Sequence, residues 1–160
     1  MFLDQPIPQE PCDLWRWDDS DAGWIRLAEP LLPWSEWHGW DVIESFTHTR
    51  LPSDMAIGPG VYEIRCSDTH PDKRIYIGSS SSLPIRLLYD LKYDKENGDP
   101  KKRTHRKGDI FKAVNGQKDL IRLRWAPCET TDKAHYYEIY LGCRYFLRFD
   151  QLPDISGQIG

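Results

Sequence analysis

Two short segments of alternating apolar and polar residues, each fenced by turn formers, restrict this chain more than any other feature. Val61-Tyr62-Glu63-Ile64-Arg65 follows the turn-forming Ile57-Gly58-Pro59-Gly60, and Arg74-Ile75-Tyr76-Ile77 closes at Gly78. A period of two turns one side of each segment to a core and the other to water, the pattern of a half-buried strand. The polar loop from Ser67 to Asp72 lets the two pair as an antiparallel hairpin. Ser79 to Ser82 then supply capping side chains for a helix from about Leu83 to about Lys95. Leu120 to Trp125 alternates as a third strand, after a short helix over Asp109 to Val114. Thr130-Thr131-Asp132 caps a last helix over about 132–147, rich in Tyr136, Tyr137, Ile139, Tyr140, Leu141, Tyr145 and Phe146. The order β-β-α-α-β-α predicts an α+β domain, a small three-stranded antiparallel sheet flanked by helices.

The first 57 residues differ from the rest and are expected to form an acidic, Trp-rich extension packed on a core of residues 58–160. They hold six of the seven tryptophans, Trp15, Trp17, Trp24, Trp34, Trp37 and Trp40, and 11 acidic side chains against three basic ones. Trp34, Trp37 and Trp40 recur every third residue, as a helical or 3₁₀-like turn would place them on one face. Clustered carboxylates repel phosphates, so these rings are expected to bury area against the core rather than stack on bases. The remainder carries 18 basic residues against 14 acidic ones, so a whole-chain net charge of −4 conceals a positive portion. Within it Lys101, Lys102, Arg103, His105, Arg106 and Lys107 fall in one run. By itself such a run reads as a solvated loop after the turn-rich Glu96-Asn97-Gly98-Asp99-Pro100.

A chain of 160 residues needs no covalent staples, since a domain of about 150 residues hides roughly two-thirds of the surface its unfolded form exposes. The cysteines at 12, 66, 128 and 143 form no Cys-x-x-Cys pair and match no zinc finger or knuckle, so they read as reduced structural thiols. No apolar run approaches the roughly 20 residues of a membrane span. The opening Met1-Phe2-Leu3-Asp4-Gln5-Pro6 has neither a positive n-region nor an apolar h-region. The expectation is a cytoplasmic protein without membrane attachment.

The two strands carry a more specific pattern. Gly60-Val61-Tyr62 on the first is followed, with thirteen residues between the tyrosines, by Tyr76-Ile77-Gly78 on the second, and Arg86 lies eight residues beyond Gly78. The arrangement resembles the GIY-YIG nuclease superfamily over residues from about 58 to about 153. The resemblance implies that Tyr62 and Tyr76 sit on adjacent strands, that Arg86 follows on a helix, and that Glu138 on the last helix binds one divalent metal, Mg²⁺ or Mn²⁺. It also implies Tyr62 as general base, with Tyr76 orienting the water or the phosphate. Three departures accompany it: a longer hairpin loop at Cys66 to Lys73, Tyr89 and Asp90 where members often carry a histidine or tyrosine helper, and Asp154 after Pro153 where many have asparagine. The third helper is left among His105, Tyr89 and Asp90.

The chemistry can be stated independently. Hydrolysis of a phosphodiester needs a nucleophilic water, charge neutralisation at the phosphoryl oxygens and help for the departing oxygen. A carboxylate such as Glu138 suits a hard cation, and the planar fork of Arg86 suits non-bridging oxygens. A tyrosine with a pKa of about 10 needs a nearby cation to act as a base, and Lys73, Arg74 or the metal is expected to supply it. Lys73, Arg74 and the basic run are then the expected contacts to DNA phosphates. The leading expectation is a stand-alone, restriction-like DNA endonuclease, working as a homodimer if it cuts both strands symmetrically. The alternatives are a structure-specific or degradative nuclease, or an inactive module of the same fold that binds a protein partner through its N-terminal extension.

Overall fold

The computed structural model describes residues 15–17, 25–47, 49–93 and 107–155. Strands β1 (Trp15–Trp17) and β2 (Ile25–Leu27) form a separate antiparallel ribbon, in which Trp15 pairs with Leu27 and Trp17 with Ile25. The main sheet comprises β3 (His38–Gly39), β4 (Gly60–Cys66), β5 (Tyr76–Ser80) and β6 (Ile121–Pro127), antiparallel throughout and ordered β3-β6-β4-β5. The helical elements are α1 (Asp41–Glu44), α2, α3 (Lys107–Ala113) and α4 (Thr131–Phe149). α2 opens with π-helical geometry over Pro84–Asp90 and continues as α-helix over Leu91–Tyr93.

The α+β class and the β4–β5 hairpin agree with the sequence reading, and the sheet has one strand more than expected. The fourth strand comes from the tryptophan segment itself. Trp34, Trp37 and Trp40 do not share a helical turn: residues 31–37 have no regular structure, His38 and Gly39 pair with Leu123 and Arg122, and Trp40 caps α1. Ser35 adds two bonds to the same strand, its N–H donating to Trp125 O at 2.8 Å and its hydroxyl accepting from Trp125 N at 3.1 Å. β5 also begins later than expected and runs past Gly78, because Ser79 and Ser80 pair with Val61 and Gly60.

Pleating divides the sheet into two layers. Tyr62, Ile64, Cys66, Ile121, Leu123 and Trp125 face one way, and Ile43, Leu83, Leu87, Leu88, Leu91 and Ile110 from α1, α2 and α3 close over them. Trp40, Phe46 and Met55 join the same cluster, so the tryptophan segment and the strands share one core. Each large apolar side chain buried there contributes roughly 1.5–3 kcal/mol. The opposite layer holds Val61, Ile77 and Ala126 under Tyr137, Tyr140, Leu141 and Tyr145 of α4. α4 starts at Thr130, whose hydroxyl accepts from Lys133 N at 3.1 Å, and stops at Asp150, which takes the left-handed conformation at φ 54°. Among the described residues no helix is long and apolar enough to cross a membrane.

Candidate active site

The glycines of the two tyrosine motifs are required by close approach. A Cβ on Gly78 would lie 2.5 Å from Tyr76 Cε1 and 2.6 Å from the Cζ and Oη of Tyr62, so only a bare backbone lets both phenol rings lie across β5. A Cβ on Gly60 would meet Ala126 O at 2.6 Å and the Leu83 side chain, which is where α2 settles on the sheet. The register pairs Tyr62 with Gly78 and Ile64 with Tyr76, putting both tyrosines on one face of neighbouring strands. Their ring centroids are 5.7 Å apart with planes tilted by 34°, and their hydroxyls are hydrogen-bonded.

Arg86 and Glu138, carried by different elements, both act electrostatically on Tyr62. Burial pushes the Tyr62 phenol well above its ordinary value, Tyr76 pushes it the same way, Arg86 opposes them, and Glu138 adds a smaller upward push. Arg86 projects from the π-helical start of α2, a geometry found often at functional sites. Its side chain is 38% exposed and its Nε stands 3.9 Å from Asp90 Oδ2, one turn on, so the ion pair that spacing permits is a loose one. Glu138 comes from α4 on the other side of the sheet, and Ser79 holds its carboxylate through both the hydroxyl and the backbone N–H. Among the described residues β5 is an edge strand of the sheet.

Glu138 is 16% exposed, and His135 Nδ1 lies 3.2 Å from its Oε2. Burial raises the carboxyl above the ordinary range, and His135 and the Ser79 hydrogen bonds pull it back only in part. A carboxyl whose folded pKa is raised stabilises the fold below its unfolded pKa and loses that contribution as pH rises. Glu138→Gln, a mimic of the neutral acid, therefore melts above the wild type at pH 7, and the gap closes near pH 4. Thermal unfolding at both pH values checks this, and a lower melting temperature for the variant at pH 7 contradicts it.

Other expected site residues lie elsewhere. The Lys73 ammonium sits 4.2 Å above the Phe149 ring, and Arg74 pairs with Glu63 at 3.2 Å and stacks on Trp37 at 4.9 Å. Neither is the cation beside Tyr62; Arg86 is. With its side chain 10% exposed and its charge matched by Glu63, Arg74 also leaves the set of phosphate contacts. Lys107 begins α3 with its ammonium 5.8 Å from the Phe111 ring. Lys101, Lys102, Arg103, His105 and Arg106 lie outside the described residues. Of the other two candidate helpers, Tyr89 lies against Tyr93 with centroids 4.8 Å apart and planes tilted by 55°, and Asp90 stands beside Arg86. Asp154 acts on Tyr145, whose hydroxyl accepts from Arg74 N at 3.3 Å.

The sequence reading placed neither Ser79 nor His135 beside Glu138. Ser79 looked like a helix cap, whereas His135 carried a usable signal, three residues before Glu138 on one helix face. Among the described residues no group of three or more His, Cys, Asp or Glu could hold a metal. The donor set here, a fixed carboxylate beside hydroxyl and imidazole groups, fits a hard divalent cation that keeps most of its water. No family model matches the chain, and no curated protein or solved structure matches it.

Proposed function

We propose that this chain is a divalent-metal-dependent DNA endonuclease with a GIY-YIG-like fold, a stand-alone restriction-like enzyme that hydrolyses phosphodiester bonds. The observation that carries the reading is the convergence of two hydrogen-bonded phenols, a half-exposed arginine and a tethered carboxylate at the glycine-cleared edge of β5. Arg86 lays its fork on non-bridging oxygens as charge builds there. Tyr62 takes the proton of the attacking water, and its hydrogen bond to Tyr76 fixes the orientation of the Tyr62 hydroxyl. Glu138 would hold Mg²⁺ or Mn²⁺, which when bound neutralises charge on the phosphoryl group and on the departing oxygen. The basic run and Lys107 contribute phosphate contacts on their charge alone.

Burial keeps Tyr62 a phenol at neutral pH, so the reactive phenolate is a minor form. Its population grows about tenfold per pH unit below the pKa, and the cleavage rate rises with it. Single-turnover cleavage between pH 6.5 and 9 should climb without a plateau in the wild type. In Tyr62→Phe it should be far slower and flat. A flat wild-type profile removes Tyr62 from the role of base.

A further inference from the structure

We propose that His135 is a second protein ligand to the metal, so that His135 and Glu138 together make a site that prefers Mn²⁺ and Co²⁺ to Mg²⁺. This deepens the nuclease reading and rests on it. The two residues lie three apart on α4, which puts them on adjacent turns of one helix face. Two donors each about 2.1 Å from an octahedral ion, at a right angle, are about 3.0 Å apart. The observed 3.2 Å between His135 Nδ1 and Glu138 Oε2 is nearly that separation, so an ion can replace the bridging proton with little movement of either group.

The surroundings suit an ion as well. Ser79 pins the carboxylate to the edge of β5, so only the imidazole has to adjust. The His135 side chain is 63% exposed, leaving the outer positions of the coordination sphere to water and to phosphate oxygens. Imidazole nitrogen discriminates among cations where carboxylate does not. Mg²⁺ keeps to oxygen and water, whereas affinity for a mixed nitrogen and oxygen site grows from Mn²⁺ towards Co²⁺.

The test uses the full-length protein and Mn²⁺ alone, followed by electron paramagnetic resonance and electron spin-echo spectroscopy, beside His135→Gln. The wild type should show the ¹⁴N coupling of a directly bound imidazole. His135→Gln should lack that coupling and bind Mn²⁺ about tenfold more weakly or worse. Its cleavage should fall with both metals, and further with Mn²⁺ than with Mg²⁺, so that any advantage of Mn²⁺ disappears. Bound Mn²⁺ without nitrogen coupling, or equal affinity in the two proteins, overturns the assignment and leaves the nuclease reading intact. A wild type that cleaves with Mg²⁺ yet binds no Mn²⁺ does the same. Absence of both metal binding and cleavage overturns the two readings together.

Discussion

Replacing Glu63 by alanine lowers the stability of the fold by about 3–5 kcal/mol, the cost of leaving buried charge without its partner. Glu63 is the buried acid of the sheet, 3% exposed, and it holds two arginines at once: Arg124 Nε donates to Oε1 at 2.7 Å and Arg74 Nε stands 3.2 Å from Oε2. Burial works against the Arg74 charge, and Glu63 is the main group supporting it. Aromatic faces complete the arrangement, with Trp34 and Trp37 lying 4.1 Å and 4.6 Å from the Arg124 guanidinium. Without the carboxylate both cations repel each other in a poorly hydrated layer. Urea denaturation should show the midpoint falling steeply, and Arg74→Met combined with Arg124→Met should recover much of the loss in the Glu63→Ala background. A loss below about 1 kcal/mol would mean that water reaches the network and screens it.

Arg86→Ala has the largest expected effect on activity, a fall in plasmid cleavage of about 10²–10³-fold with the fold undisturbed. Stability should hold because the guanidinium is partly exposed and its contact to Asp90 is loose, a pair worth about 0.3–0.5 kcal/mol in such positions. Two causes add in the activity: the phosphoryl oxygens lose a forked donor, and Tyr62 loses the cation that favours its phenolate. Arg86→Lys separates them. A lysine restores charge near Tyr62 without the planar fork, so it should recover only part of the rate. Measured as kcat/KM beside thermal melting, equal losses of activity and stability would instead mark Arg86 as a structural residue.

The hairpin was legible from alternation between turn formers and the tyrosine motifs by resemblance; the reason for their glycines was not, since Gly60 and Gly78 are small where Leu83 and the Tyr62 hydroxyl press on the strands. The pairing of His38 with Leu123 was not legible, since two paired residues are too few to show alternation and the tryptophans around them imitate a helical period. The π-helical register of α2 was equally silent. Its buried Leu83, Leu87, Leu88 and Leu91 are compatible with an ordinary helix, and hydrogen-bond register leaves no mark in such a pattern. Glu63 was missed for the opposite reason. Its place in an alternating strand reads as a residue facing water, but α4 and the tryptophan segment cover that side of the sheet. Glu138 was legible by resemblance alone; its tether to Ser79 depends on how far β5 runs past Gly78.

The most direct test of the central claim is incubation of supercoiled plasmid with the full-length protein in Mg²⁺, in Mn²⁺ and in excess chelator, beside folded Glu138→Ala. The account predicts conversion to nicked and linear DNA that requires the metal and is lost with the carboxylate. Plasmid left intact by folded wild-type protein in both metals, or cleavage that survives Glu138→Ala, would contradict it.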